Sequence, residues 1–297
     1  MMRTAPRYAP GLAATLARVG PEPTDLHLRG LRSVRGIEHV RTLEMLDMPV
    51  SGDLRRIARL PHLRQLCLSG VGTRRPVDLS PLAEAPALEA LRLDAIEAPV
   101  VGLEALAQVG TLEVLDVHES RCPDLRPLVG HGLRRIELDG AQRVKPGWLE
   151  GLDVEELDLW MTGLRDLEVL ATLPRIRELW LVGNPWGNAG MAVGRGRVRP
   201  LPSLAPLLAL GTLERVVLDG NVDPERHRGA IEALEARGVW VAITSSPEEH
   251  GIVPGWWSTE GADLVDDRYR APLRHVSPGA WPGVQRGSGS HAPAAVV

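Results

Sequence analysis

The chain has little of what would mark it as a disulfide-stabilised, membrane-spanning or polycationic protein. Its 297 residues include two cysteines, too few for a disulfide scaffold and typical of a reducing compartment. No apolar run approaches the length of about 18 residues that a membrane-spanning helix requires. A formal net charge of −4 argues against a protein built to coat nucleic acid. We therefore expect neither a nucleic-acid partner nor a membrane partner.

The chain also has few residues of certain types and only a short apolar stretch near its N-terminus, which bear on its source organism and its cellular location. Phenylalanine is absent and Lys145 is the only lysine, a bias that indicates a GC-rich bacterial genome. The first residues, MMRTAPRYAPGLAATLARVG, contain only a short apolar stretch, which Arg18 interrupts. This start does not fit a secretory signal, so we predict a cytoplasmic protein.

What the chain does contain is a repeated pattern of aliphatic residues. The frame L-x-x-L-x-L occurs eight times after a degenerate first copy, PTDLHL from Pro23. The eight copies are LEMLDM from Leu43, LRQLCL from Leu63, LEALRL from Leu88, LEVLDV from Leu112, LRRIEL from Leu133, VEELDL from Val154, IRELWL from Ile176 and LERVVL from Leu213. They start 20 to 25 residues apart, except for a last interval of 37. This period predicts a solenoid, in which each repeat buries its apolar side against its neighbours.

The pattern resembles the leucine-rich repeat family, in its short bacterial type, over about residues 23 to 243. The resemblance implies a curved parallel β-sheet on the concave side and short 3-10, irregular or helical segments on the convex side. One departure is the ninth repeat position, where the family prefers asparagine. Only the last two copies keep it, as Asn184 and Asn221, so we expect less regular turns near the N-terminus.

Three regions follow from the limits of the repeat. We expect an N-terminal cap over residues 1–22, a solenoid of about nine repeats over 23–244, and a tail over 245–297. The tail is rich in Pro, Gly and Ser, so it is predicted to be largely disordered or draped on the surface. Asp223 and Pro224 have the residue types that begin helices, which predicts a capping helix over residues 224–237 with a last strand after it.

The alternation of side chains along a strand predicts an acidic concave face. The fourth and sixth frame positions face the core, and the third, fifth and seventh face the other, solvent-exposed side. In the five middle repeats, those outward positions hold seven acids and two arginines, a balance of −5. The predicted partner-binding residues of this acidic strip are Asp94, Asp116, His118, Glu137, Asp139, Glu156, Asp158 and Glu178.

Two tryptophans extend this face at its C-terminal end. Trp160 and Trp180 occupy outward positions on neighbouring strands, where exposed indoles predict a binding hot spot. Val182 lies beside them, and Trp186 belongs to the insertion that the interval of 37 predicts over residues 184–202. The insertion is either a lid that contacts the partner or a passive loop. Alternatively, the tail or the insertion covers the two indoles as part of the fold.

These features predict a non-catalytic module for protein–protein recognition, with no cofactor and no metal. The expected partner presents Arg or Lys around an apolar or aromatic anchor, because acids steer the encounter and indoles supply contact energy. One alternative is a metal-assisted hydrolase at Asp94, His118 and Asp139, whose side chains would lie about 5 Å apart on neighbouring strands. Another is a structural scaffold that associates with itself.

Overall fold

A computed structural model describes residues 8 to 243, apart from 21, 29–30, 32, 51–52, 161, 182–200 and 219–221. The predicted tail and most of the predicted insertion, with Val182 and Trp186, lie outside the described residues. The strands are β1 (Asp25–His27), β2 (Met45–Pro49), β3 (Gln65–Ser69), β4 (Val77–Asp78), β5 (Ala90–Asp94), β6 (Val100–Val101), β7 (Val114–His118), β8 (Arg135–Glu137), β9 (Glu156–Asp158), β10 (Glu178–Leu181), β11 (Arg215–Leu218) and β12 (Trp240–Ile243).

Ten of these strands form one parallel sheet in chain order, and β4 and β6 pair separately. Each of the nine frames contributes one strand to the large sheet, and β12 is added at its end. Equal frame positions pair across neighbouring strands, as Leu46 with Leu66 and Leu91 with Leu115. Because the register does not slip, residues at the same frame position form columns that run across the sheet.

The segments that return from one strand to the next are short. They include 3-10 helices at Ile37–His39, Ser80–Glu84, Arg126–Leu128, Pro146–Trp148, Glu168–Thr172 and Ala205–Ala209, and single-turn α-helices α2 (Leu54–Ile57) and α3 (Leu103–Leu106). The longer helices stand at the two ends: α1 (Pro10–Val19) precedes the first strand, and α4 (Pro224–Ala236) separates β11 from β12. Repeats of 20 to 25 residues leave no room for a long helix within each turn.

The aliphatic frame positions build one continuous core. In the second repeat, the first, fourth and sixth positions, Leu43, Leu46 and Met48, are all fully buried. Each repeat offers its apolar row to the repeats on either side, so the core closes only when they stack. Leu12 of α1 and Leu234 of α4 join the core at its two ends. Because side chains alternate along each strand, the third, fifth and seventh frame positions lie on the side of the sheet opposite the core.

Helix α4 begins as its sequence leads one to expect. The Asp223 side chain accepts hydrogen bonds from the backbone N–H groups of Glu225 and Arg226. Pro224 follows at the first helical position, where its missing N–H leaves no intrahelical bond unmade. The carboxylate also lies at the positive end of the helix dipole. Asp223 and Pro224 therefore stabilise the N-terminal end of α4.

Threonines connect neighbouring repeats where the tripeptide Thr-Leu-Glu occurs. Each threonine hydroxyl donates a hydrogen bond to the carbonyl oxygen of the first frame position in the preceding repeat. The pairs are Thr42 with Pro23 (2.9 Å), Thr111 with Leu88 (2.8 Å) and Thr212 with Ile176 (2.7 Å). These bonds satisfy carbonyl groups just ahead of the strands, where the sheet ladder has not yet begun.

A serine does in one repeat what asparagine does in the family. Ser120 stands at the ninth position and is fully buried; its hydroxyl accepts from the Ile96 N–H at 2.8 Å and donates to the Leu93 carbonyl at 3.0 Å. A hydroxyl both accepts and donates, so it bridges two turns as an amide would. Strands β2 and β3, whose repeats lack asparagine at the ninth position, still pair over five residues, whereas β1 and β2 pair over three.

Candidate functional site

The candidate site is the concave face, which we define as the side of the large sheet formed by the third, fifth and seventh frame positions. Its fifth-position column has an orderly composition: an arginine is followed by three carboxylates and then by apolar residues. The column begins with His27 and Asp47 on β1 and β2, and from β3 onward it reads Cys67, Arg92, Asp116, Glu137, Asp158, Trp180, Val217 and Ala242. Neighbours in this column stand on strands about 4.8 Å apart.

The two indoles lie on the concave face and not in the leucine core. Leu179 and Leu181 are core residues, whereas Trp180 between them is outside the core, as alternation along β10 requires. Trp160 is also buried outside the core. Together with two small neighbours they form a patch that we call the apolar floor, made of Trp160, Trp180, Val217 and Ala242.

The prediction that Trp160 and Trp180 are exposed to solvent on this face is wrong. Trp160 is 5% exposed and Trp180 is 7% exposed, and Asp116 and Asp158 are also buried. On the inner side of a curved sheet, side chains converge. Neighbours in register then cover each other's flanks. The concave face is therefore a closely packed surface, and only parts of its side chains reach water.

Ion pairs offset much of the predicted negative charge. The Arg92 guanidinium lies 2.9 Å from Asp116 and 3.8 Å from Asp94. His118 stands between two acids, with Nδ1 2.8 Å from an Asp94 oxygen and Nε2 3.4 Å from an Asp139 oxygen. These two side chains thus bridge the acids of β5, β7 and the turn that follows β8.

A second group of ion pairs covers the neighbouring third positions. Arg135 lies 2.6 Å from Glu137 and 3.6 Å from Glu156, and Arg215 lies 2.9 Å from Glu178. Arg215 belongs to the repeat after the five middle ones, so it pairs with Glu178 across β10 and β11 without changing the balance counted within those five repeats. The predicted acidic strip is therefore a network of paired charges with a moderate excess of carboxylate.

Burial also changes the protonation of the fifth-position carboxyls. Desolvation raises the pKa of Asp116 to about 7, although the Arg92 guanidinium opposes the shift. Desolvation and the charges of Glu137 and Asp139 raise the pKa of Asp158 well above its usual range. A buried carboxyl beside other carboxylates keeps its proton, because ionisation would place like charges together in a poorly solvated site. Near neutral pH, the column therefore carries less negative charge than its composition indicates.

His118 responds to the same surroundings in the opposite sense. Burial disfavours the imidazolium, but the hydrogen bond with Asp94 and the charges of Asp139 and Asp116 outweigh it and raise the pKa of His118. An imidazolium donates from both nitrogens, which suits the carboxylates on its two sides. Desolvation in turn raises the pKa of Asp139.

The residues of the predicted hydrolase site do come together, but as a chain of ion pairs. Both imidazole nitrogens of His118 are directed at carboxylates of Asp94 and Asp139. A metal ligand needs one of these nitrogens to present a lone pair to the ion. Within the described part of residues 8–243, no group of three His, Cys, Asp or Glu side chains is arranged to hold a metal ion.

Two members of the face escaped prediction because the last strand lacks the leucine frame. Trp240 and Ala242 stand at the third and fifth positions of β12, in register with Arg215 and Val217. The Arg215 guanidinium lies 5.4 Å from the centroid of the Trp240 ring. The available signal was the alternation in WVAI, where Val241 is a core residue and its neighbours point the other way.

The decisive observation for the fold is that all nine frames supply one strand each to a single parallel sheet, with aliphatic positions inward and short returns outside. The chain has the fold of a leucine-rich repeat solenoid. No protein-family model and no curated protein matches its sequence. Among the helices of this solenoid that the structure describes, none has the length and apolarity needed to cross a bilayer.

Similar solved structures include two internalins from Listeria monocytogenes strain 4b F2365. Internalin C2 is 18% identical with a TM-score of 0.32, and the match covers 53% of the solenoid chain and 71% of the internalin. Internalin F is 16% identical with a TM-score of 0.34, and the match covers 80% of the solenoid chain and 87% of the internalin.

Proposed function

We propose that this solenoid is a non-catalytic module that recognises another protein on its concave face. The observation that carries the proposal is a direct junction in the fifth-position column: its carboxyl groups end at Asp158, and Trp180 of the apolar floor follows on the next strand. A rigid sheet holds both chemistries at fixed spacing. The fold alone does not select a partner, because leucine-rich repeats are a scaffold and recognition depends on the side chains that they present.

The expected partner segment carries Arg or Lys beside an apolar or aromatic anchor. Glu156 and Glu178 are the most exposed acids of the acidic strip, with 28% and 27% of their side chains in contact with water, so a cation of the partner would join the ion pairs that they make with Arg134 and Arg215. The anchor would pack on the edge of Trp180 that reaches water, and aromatic side chains at interfaces contribute a large share of binding energy. Asp94, Asp116, His118, Glu137, Asp139 and Asp158 would set the field around these contacts. Val182 and Trp186 remain candidate contacts on sequence grounds.

We also propose a bacterial, cytoplasmic protein. Cys67 and Cys122 are both buried and are not joined by a disulfide, which suits a reducing compartment. Burial raises the pKa of the Cys122 thiol to about 12. That thiol is therefore held in its unreactive form at physiological pH.

Capture from a lysate of the native organism tests the proposal. The full-length chain is compared with Trp160→Ala/Trp180→Ala, with Glu156→Gln/Glu178→Gln, and with the control Arg64→Gln/Arg177→Gln on exposed side chains outside the concave face. We expect a specific protein to be retained by the wild type and the control and lost from both concave-face variants. Circular dichroism checks that each variant is folded. Equal retention by all four chains would contradict the proposal.

The rates separate the two contributions to binding. For the captured protein, we expect higher salt to slow association several-fold, because screening weakens long-range steering by the acids. Trp180→Ala should accelerate dissociation about tenfold or more, since it removes an anchor contact worth about 1.4 kcal/mol or more. A salt-independent association rate would rule out the electrostatic part.

A further inference from the structure

The chain continues beyond the solenoid from the edge of the proposed binding face. β12 ends at Ile243, and residues 244–297 follow, a segment of 54 residues. Ala242 of β12 is part of the apolar floor and pairs with Val217 on β11. The segment after Ile243 therefore starts beside the apolar end of the concave face.

Charges in this segment are separated along the sequence. Residues 244–267 contain six acids and no Arg or Lys, whereas residues 268–297 contain four arginines and no acid. The arginines stand among two aromatic residues, Tyr269 and Trp281, in the stretch RYRAPLRHVSPGAWPGVQR over residues 268–286. Guanidinium groups beside aromatic anchors are the chemistry that the concave face is suited to receive.

We propose that residues 268–286 bind the concave face of the same molecule and compete there with the protein partner. This inference rests on the proposed function, because it assigns an occupant to the same surface. One or more arginines join the ion pairs that Arg134 and Arg215 make with Glu156 and Glu178, the more exposed acids of the third-position column. Tyr269 or Trp281 packs on the apolar floor beside Trp180. The acidic stretch 244–267 is repelled by the face and serves as the connection.

The connection is long enough for this contact. Its 24 residues (244–267) can extend over roughly 80 Å. The ten strands of the large sheet span about 43 Å at their usual spacing. A tethered segment of this length has an effective concentration on the order of 1 mM. If its own dissociation constant were about 10 µM, it would weaken a competing ligand about 100-fold.

The test uses a labelled synthetic peptide of residues 268–286 and three full-length proteins. The first is the wild type. The second, the basic-segment variant, carries Arg268→Gln, Arg270→Gln, Arg274→Gln and Trp281→Ala. The third is a matched control with Glu248→Gln, Glu249→Gln and Glu260→Gln in the acidic stretch. We expect the peptide to bind the basic-segment variant about tenfold or more tightly than the wild type, and the control to bind it no more tightly than the wild type.

Adding Trp180→Ala and Glu178→Gln to the basic-segment variant should abolish peptide binding, which locates the contact on the concave face. Equal affinity for wild type and basic-segment variant would overturn the proposal, and so would failure of the peptide to bind the variant. A wild type that dimerises through residues 268–286 would also overturn it, since the occupant would then come from a second copy. If the protein captures a partner from lysate but the basic-segment variant does not bind the peptide, the proposed function stands and this inference fails. Peptide binding without a captured partner would support this inference alone.

Discussion

Two columns of charged side chains cross the same strands of the solenoid, one at the second frame position and one at the fifth. The second-position column reads Glu44, Arg64, Glu89, Glu113, Arg134, Glu155, Arg177 and Glu214. Arg64 pairs there with Glu89 at 3.0 Å, and in the fifth-position column Arg92 pairs with Asp116 at 2.9 Å. The distances are alike, but the Arg64 side chain is 59% exposed and that of Arg92 is 13% exposed.

The difference shows that burial, more than distance, decides what an ion pair does. Water already stabilises both exposed charges, so an ion pair at the second position adds little to the stability of the fold. The buried charges have lost most of that solvation and depend on each other. The same loss raises the pKa of Asp116. We therefore expect the fifth-position column to affect stability and its pH dependence, and the ion pairs of the second-position column to be weak and sensitive to salt.

The largest expected effect is a decline in stability with rising pH. Asp116, Asp139 and Asp158 have raised pKa values, so the folded chain holds their protons at pH values where the unfolded chain has released them. The free energy of unfolding then falls as pH rises from about 4 through the folded pKa values. The raised pKa of His118 has the same sign: its stabilisation is complete below about 6.5 and is lost as pH rises through the folded value.

Asp116 alone, with its pKa moved from 3.8 to about 7, accounts for a loss on the order of 4 kcal/mol between pH 4 and pH 7. Urea unfolding at pH 5, 6, 7 and 8 measures the slope. Asp158→Asn should stabilise the chain at pH 8 and reduce the slope, since an amide needs no proton to stay neutral. Glu89→Gln in the exposed column should leave the slope unchanged. A wild-type profile that is flat or rises from pH 5 to 8 would show that burial does not control these acids.

The next effect concerns removal of one cation from each column. Arg92→Met should cost about 1–3 kcal/mol at pH 7, because Asp116 loses its charged hydrogen-bond donor and takes up a proton. Arg64→Met should cost about 1 kcal/mol or less. Methionine replaces much of the side-chain volume in both cases. Urea unfolding of the two variants therefore compares the free-energy cost of removing a buried charge with that of removing an exposed one. Equal costs would remove the distinction between the columns.

The smallest effect is the coupling energy of single pairs. A double-mutant cycle on Arg177 and Glu214, whose side chains are both more than half exposed, should give only a small coupling energy. That coupling should vanish in about 1 M salt. The cycle on His118 and Asp94 should give more than about 1 kcal/mol at pH 6 and persist in salt. A salt-sensitive coupling at His118 would place that pair among the exposed ones.

Sequence patterns predicted the solenoid because its causes are local. An aliphatic frame of six residues defines each strand and its inward side, so Leu179 and Leu181 fall in the core and Trp180 opposite them. The same alternation placed the acids on one face. The absence of asparagine at the ninth position was a poor guide to the turn at Ser120. That turn needs one hydrogen-bond acceptor and one donor, and the Ser120 hydroxyl supplies both.

Exposure and protonation could not be predicted from the pattern. They depend on how side chains from three or four strands converge, and no single repeat contains that information. Trp160 was expected in water and is buried, and Asp116 was expected as a carboxylate and has a pKa near neutrality. Arg215 was overlooked as a partner for Glu178 because the two residues are 37 positions apart in sequence. Their proximity follows only from the register of β10 and β11.

The unslipped register also bears on how such a protein can change over generations. Because each strand meets its neighbours at matching frame positions, copying or losing one whole repeat would preserve the stacking on both sides of the junction. A duplicated unit bearing Asp116 would lengthen the row of carboxylates by one, and loss of the unit bearing Trp180 would bring Asp158 next to Val217. A change in the number of repeats would therefore alter the binding surface while the fold stays the same.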